Sequence, residues 1–239
     1  MQGNEALHEK RGHLRVLSAN LWQGRANHQA LARQIEDLDV DAVAVQELSP
    51  DQAGAISEVL PCGKLEASLD RGGMGIALRH PGNVQRLHLC NRDAHVVELL
   101  PDDWPDLPDR LELINVHFQA PHGFPQWRAL ARRRVQLRTL TAYLQDVPIP
   151  RRAVVGDFNS TPIWPVYRSL ASRLDDAALL HAEMTGSRPG RTWGPWHGAP
   201  RLLRIDHAFL HGLSVERFEV VEVAGSDHSG ILTDLRILP

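Results

Sequence analysis

In HLRVLSANLW, apolar and polar residues alternate from Leu14, a period of two that predicts a half-buried strand ending near Asn20. The period then lengthens. NHQALARQIEDL sets Leu31, Ile35 and Leu38 at helical spacing behind Asn27, a residue suited to cap a helix N-terminus. DAVAVQEL is a continuous apolar run, the pattern of a strand buried on both faces, and it ends at Gln46 and Glu47. SPDQAGAISEVL opens a second helix, with Ser49 as cap and Pro50 in the first turn. The chain therefore begins β-α-β-α.

The middle returns to short runs of strand character, GMGIALRH, NVQRLHLC, HVVELL and RLELINVHF, separated by Gly, Pro, Asn and Asp turn signals. PDDWPDLPDR is too rich in Pro and Asp to be a strand and is expected as a loop. The longest helical pattern, GFPQWRALARRRVQLRTLTAYLQDV, offers Leu130, Val135, Leu137, Leu140 and Leu144 as one broad apolar face. RAVVGDFN reads as a strand, IWPVYRSL and DDAALLHAEM as short helices, and RIDHAFLH, SVERFEVVEV and GILTDLRIL as three closing strands. Helices and strands alternate twice with hairpin strands between. That order predicts two packed sheets with helices on both outer faces.

Composition narrows the class without naming a chemistry. At 239 residues with 43% hydrophobic and 23% charged positions, the chain has enough apolar surface for one sizeable core. Residues 1–12 are expected to be poorly ordered and 13–239 to form a single domain. The net charge of −3 gives no overall attraction to nucleic acid or to an anionic membrane. Of the 26 basic residues all but two are arginine, which reads first as base composition and second as phosphate recognition. Cys62 and Cys90 stand in no metal-type or disulfide spacing, which is consistent with free thiols in a reducing compartment. The start has no apolar signal-type core and no run approaches a membrane span, so the expectation is a cytoplasmic monomer, or an exported one had a signal segment preceded it.

Polar residues recur where strands end: Asn20, Glu47, His117, Asp157 with Asn159, Asp206 with His207, and Asp227 with His228. Each alone has an ordinary reading as a turn, a cap or a satisfied core histidine. Together they form a chemical inventory. Glu47, Asp227 and Asn20 are hard oxygen donors of the kind that suit Mg²⁺. His228 is a candidate general base, and a carboxylate such as Asp206 would fix its tautomer. Asn159 and His117 are candidates to hydrogen-bond phosphoryl oxygens as charge develops. Metal-assisted hydrolysis of a phosphate ester uses all of them.

SANLW, VQEL, GMGIALR, NVHFQAP, GDFNSTP, RIDHAFL and SDHSGILTDL, in this order from about Leu14 to Leu238, resemble the motifs of the endonuclease/exonuclease/phosphatase superfamily. GDFN followed later by SDH is the specific part; the shorter pieces are weak alone. The resemblance implies an α/β fold, a four-layer α/β/β/α sandwich of two packed mixed sheets with the site at one end. It implies a divalent metal, Mg²⁺ or alternatively Mn²⁺, at Glu47 with Asn20 and Asp227. It places water orientation and transition-state stabilisation on Asp157 and Asn159, the catalytic imidazole on His228, its carboxylate partner on Asp206 and a phosphate contact on His117. Whether His228 or Asp157 takes the proton of the attacking water, and whether one metal serves or two, is left open by the sequence. Many nuclease relatives carry Tyr where this chain has His207, a difference assigned to packing.

The substrate is read from loops. Arg25, Arg71, Trp193 and Trp196 are the candidate substrate contacts, the tryptophans weighed against packing at the core's edge. The basic helix WRALARRRVQLR is taken as a solvated face. A nuclease acting on DNA or RNA is the leading expectation. A phosphatase or phosphodiesterase for a small-molecule or lipid-linked phosphate is the alternative, because RTWGPWHGAPRLLRIDH is similar to bacterial relatives linked to lipid pyrophosphate hydrolysis. A non-catalytic binding module is the remote third. No long basic loop is present, which fits single strands or a small substrate better than long duplex DNA.

Overall fold

The computed structural model describes residues 12–122 and 124–237. The elements run β1 (His13–Asn20), α1 (His28–Asp37), β2 (Ala42–Gln46), α2 (Pro50–Val59), β3 (Cys62–Glu66), β4 (Met74–Leu78), β5 (Gln85–His88), β6 (Asp93–Leu99) and β7 (Leu111–His117). They continue with α3 (Gln126–Asp146), β8 (Arg152–Asp157), α4 (Pro165–Ala171), β9 (Asp175–Asp176), α5 (Ala177–Thr185), β10 (Asp206–His211), β11 (Ser214–Glu222) and β12 (Ser229–Arg236). Two six-stranded sheets form, ordered β11-β12-β1-β2-β4-β3 and β5-β6-β7-β8-β10-β9. Each is mixed, with one parallel pair, β1 with β2 and β7 with β8, among antiparallel neighbours.

The sandwich follows from strands that are apolar on both faces. In β2, Ala42 and Ala44 enter the core between the sheets, while Val43 and Val45 face outward onto Leu31, Ile35 and Ile56 of α1 and α2. In β8, Ala153 and Val155 enter the same central core, and Val154 faces Leu140, Tyr167 and Leu170 of α3 and α4. Period-two alternation thus fills three apolar layers, and the four-layer α/β/β/α architecture is the arrangement that covers them all. Asn27 caps α1 by accepting from the Ala30 amide, and Ser49 begins a capping box with Gln52 at the start of α2.

Three features differ from the pattern reading. CGKLE is β3, an edge strand whose polar surface hid it, and the two-residue β9 lies at the edge of the other sheet. On α3 Leu140 is buried and Leu137 and Leu144 pack against the core as expected, but the buried row continues through Ala129, Arg133 and Gln136, whereas Leu130 is exposed. The helix is rotated so that this row meets the sheet, leaving Leu130 about 100° around the axis from Ala129. Arg133 is therefore no part of a solvated stripe; it is buried and donates to the carbonyls of Gln119 and Phe158.

Trp104, in the Pro/Asp loop, is buried and donates to the Pro81 carbonyl, a packing role. Both cysteines are free. No helix among the described residues is long and apolar enough to cross a membrane. The expectation for residues 1–12 lies outside the described residues except at Gly12, which is buried and accepts from the Ile237 amide.

Candidate active site

Strand register brings the polar ends together. His117 pairs with Asp157 across β7 and β8, and Asp157 pairs with Asp206 across β8 and β10, so three site residues share one row. Gly156 makes the close approach possible: its φ is +138°, and a Cβ there would lie 2.0 Å from the Val116 carbonyl oxygen. Beyond the row, Phe158 is fully buried against Phe118 and Phe209 and turns Asn159 back, at φ 47°, onto the end of β8. The Asn159 amide nitrogen donates to Asp157 Oδ1 at 2.7 Å, and its side-chain Nδ2 donates to Asp157 Oδ2 at 2.9 Å and to the Phe118 carbonyl at 3.1 Å.

The second sheet supplies the other half. Asn20 and Gln46 are paired at the ends of β1 and β2, and Glu47 follows at φ 54°, a left-handed conformation rare for a residue with a long side chain. Asn20 Nδ2 donates to Asp157 Oδ2 at 3.1 Å and so links the two sheets. Asp227 and His228 sit just before β12, where Ser226 Oγ donates to the Asn20 carbonyl and accepts from the His228 amide. Arg201 clamps this strap, donating to the carbonyls of Ser226, Asp227 and His228 and to Ser229 Oγ.

His228 Nδ1 lies 3.1 and 3.0 Å from the two oxygens of Asp206, and its Nε2 lies 4.0 Å from Asp157 Oδ2. Burial opposes charge on this ring, but Asp206, Asp157 and Asp227 outweigh it and raise the imidazole to about 9. Asp157 moves toward neutrality, to about 7, because it is buried and lies beside Asp206; His228 and the amide donors pull the other way. Ligand-type atoms of Asp157, Asp206 and His228 all fall within 4.8 Å of one another. His117 is fully buried, with Nε2 3.6 Å from Asp157 Oδ2 and 3.8 Å from Glu47 Oε1. Burial, then Arg92, His228 and Arg71, hold it well below the usual histidine range.

The carboxylates fit a divalent cation. Burial raises both Glu47 and Asp227 above their ordinary values, an electrostatic cost that a cation would reverse. Asp227 Oδ1 is buried without a hydrogen-bond partner, while its Oδ2 accepts from Trp193 Nε1 at 3.3 Å. Carboxylate oxygens, one of them bare, are donors of the hard kind that a divalent cation takes alongside water. Asn20 differs in part from the sequence reading. Its Oδ1 already accepts from the Trp22 amide, and its amide nitrogen serves the carboxylates, so it orders the acids as well as standing near them.

Glu47, His117, Asp157, Asn159, Asp227 and His228 line a cleft of about 540 Å³, with Asn20 and Asp206 behind its wall. Of the expected substrate contacts, Arg71 and Trp193 line it; Arg25 instead stacks over Trp22, 4.2 Å from the ring centroid, and Trp196 is an exposed loop residue outside the lining. Gln23, with its amide oxygen turned to Arg71, accepts from Arg71 Nη2 at 3.0 Å and Nε at 2.6 Å. Sequence reasoning missed Arg92, which enters from the turn before β6, and the apolar wall of Trp22, Pro121, Ile163, Trp164 and Leu203. Nothing in the local pattern marks Arg92. The wall residues belong to loops, where periodicity carries no signal. His207 is fully buried among Phe158, Tyr167 and Phe209, and its Nε2 donates to the Ser160 carbonyl at 2.7 Å, as the packing reading expected.

The fold recurs in solved structures. An endonuclease/exonuclease/phosphatase from Bacteroides vulgatus matches at 16% identity and a TM-score of 0.72, covering 95% of this chain and 99% of that one. D. rerio TDP2 complexed with single strand DNA product matches at 16% identity and 0.71, covering 94% and 99%. The human Nocturnin catalytic domain with bound sulfate matches at 20% identity and 0.68, covering 95% and 96%. No curated protein sequence matches significantly. The profile of the Endonuclease/Exonuclease/phosphatase family matches residues 17–228, and the chain belongs to that family.

Proposed function

We propose that the chain is a divalent-metal-dependent phosphodiester hydrolase that cleaves nucleic acid, DNA or RNA, by in-line attack of water on phosphorus. One observation carries the reading. His117 and Asp157 of the strand-end row, with His228 held against Asp206 behind them, open into the same cleft as Glu47 and Asp227. Membership of the family already makes the chain a phosphoric ester hydrolase.

Asp157 is the general base. A carboxylate poised near neutrality both accepts a proton and holds it at working pH, and the two Asn159 hydrogen bonds aim it. His228, kept cationic by Asp206, stabilises the negative charge that builds on the phosphoryl oxygens. His117 holds the phosphoryl group in place, while Asn159, its N–H groups given to Asp157 and the Phe118 carbonyl, acts by aiming Asp157. Glu47 and Asp227, with Asn20 beside them, would hold Mg²⁺, which supplies Lewis-acid neutralisation of the phosphate charge.

Nucleic acid is favoured by the mixture of rings and cations along the cleft. Trp22, Trp164 and Trp193 offer faces for bases, and Arg71 and Arg92 offer charge for phosphates. The fold's likeness to TDP2 complexed with single strand DNA product supports the same substrate class. One feature favours the second reading, a small-molecule or lipid-linked phosphate ester: Ile163, 80% exposed, and Leu203 line the same cleft and have no face on which a base stacks.

The discriminating experiment is turnover of single-stranded DNA, RNA, supercoiled plasmid, a generic phosphodiester and a lipid phosphodiester in Mg²⁺. The nuclease reading predicts cleavage of a single strand, lost in Trp164→Ala and Arg71→Ala. Turnover of only the lipid or the generic ester would replace it with the second reading.

A further inference from the structure

Arg92 Nη1 donates to the Arg71 carbonyl at 2.7 Å and lies 2.9 Å from Nδ1 of His117. A guanidinium carries five N–H donors, no acceptor, and keeps its charge in proteins. The 2.9 Å contact is therefore a hydrogen bond only where His117 Nδ1 offers a lone pair. A proton on that nitrogen would set N–H against N–H inside a buried site, beside a positive charge.

We infer that Arg92 is a positioning residue that fixes His117 as a neutral ring protonated on Nε2. The inference rests on the function proposed above and assigns a proton within that site. With Nδ1 committed to Arg92, the Nε2–H points toward Asp157 Oδ2, at 3.6 Å, and Glu47 Oε1, at 3.8 Å. Both distances are too long for a hydrogen bond. The N–H is thus left aimed between the two carboxylates, where a phosphoryl oxygen of bound substrate would take it. His117 acts as a donor of a hydrogen bond and not of a proton.

The contrast with His228 gives the arrangement its meaning. There Nδ1 faces a carboxylate, Asp206, which draws a proton onto that nitrogen. In His117 the same nitrogen faces a cation, which excludes one. The two imidazoles of one cleft are set to opposite states at Nδ1 by the charge of the neighbour each is given.

The test is a long-range ¹H–¹⁵N spectrum of the ¹⁵N-histidine-labelled full chain without substrate, the His117 signals assigned by their loss in His117→Asn. The wild type is expected to show Nδ1 bare and Nε2 protonated. Arg92→Gln still presents an N–H donor and is expected to keep that pattern. Arg92→Glu presents an acceptor, is expected to bring a proton onto Nδ1, and to lower kcat on a phosphodiester by about 10²-fold. A merely structural Arg92 would not make the two variants differ in tautomer.

A wild-type His117 protonated on Nδ1 would overturn the inference, as would an Arg92→Glu spectrum unchanged from wild type. The wild-type spectrum decides even where Arg92→Glu fails to fold. It is read without turnover, so an inactive chain would overturn the proposed function and leave the tautomer result standing.

Discussion

At the scale of single residues, the site is a set of charges whose values are set by burial and neighbours. Asp157 and His228 are both shifted upward, Asp157 to about 7 and His228 to about 9, and that pair sets the expected pH dependence. As pH falls through the Asp157 value the base is protonated and kcat/KM drops; as pH rises through the His228 value the imidazolium is lost and kcat/KM drops again. A bound cation would draw both limbs to lower pH. Asp206→Asn removes the main charge that raises His228, so the alkaline limb of a kcat/KM profile should move toward lower pH, with a fall in rate of about 10²-fold. An alkaline limb that stays in place would detach Asp206 from this role.

His207 titrates in the opposite sense. Burial, reinforced by Arg204, depresses it to about 4. Its folded value lies below the unfolded one near 6.5, so the stability it supports is complete above about pH 6.5 and is lost as pH falls toward 4. His207→Phe should flatten chemical-denaturation stability across that window, while leaving the Ser160 carbonyl without its donor at a cost of about 1–3 kcal/mol. An acid slope identical to wild type would assign the lability elsewhere.

Elements aim the residues. The row from His117 to Asp206 exists because β7, β8 and β10 lie side by side in register, and Gly156 is where that proximity is most demanding. Gly156→Ala places a methyl against the Val116 carbonyl at a backbone angle that alanine avoids. A loss of roughly 3 kcal/mol or more is expected in a denaturant titration, together with loss of turnover. A stable, active Gly156→Ala protein would mean that β7 and β8 can separate without cost to the site.

The placement of Asn20, Glu47 and Asp157 was legible because each follows an apolar run at a strand end, a local signal, whereas Asp227 lies in the loop before β12 and stood out only through its SDH motif. Arg92 and the wall of Trp22, Ile163, Trp164 and Leu203 were not legible, because only tertiary packing brings their loops to one cleft. The α3 face was legible at Leu137, Leu140 and Leu144 but not in its first half: Arg133 and Gln136 look solvated in a helical pattern, yet they are buried to satisfy the Gln119 carbonyl and amide and the Phe158 carbonyl beside the site.

For the whole molecule, three apolar layers hold two sheets rigidly enough that groups from both meet at one end. Asn20 and Glu47 come from one sheet and Asp157 and Asp206 from the other, and Asn20 bridges them. The layered architecture was legible from the order of periods along the chain. Substrate choice was not, because loops with no regular period build the cleft wall. The most direct measurement is hydrolysis of a generic phosphodiester by the purified chain in Mg²⁺, in chelator, and in Mg²⁺ with Asp157→Asn. Turnover that vanishes in chelator, returns on adding Mg²⁺ and falls by about 10²-fold or more in the variant is the predicted result. Turnover that is indifferent to chelator, or unchanged in Asp157→Asn, would contradict a metal-dependent hydrolase centred on this row.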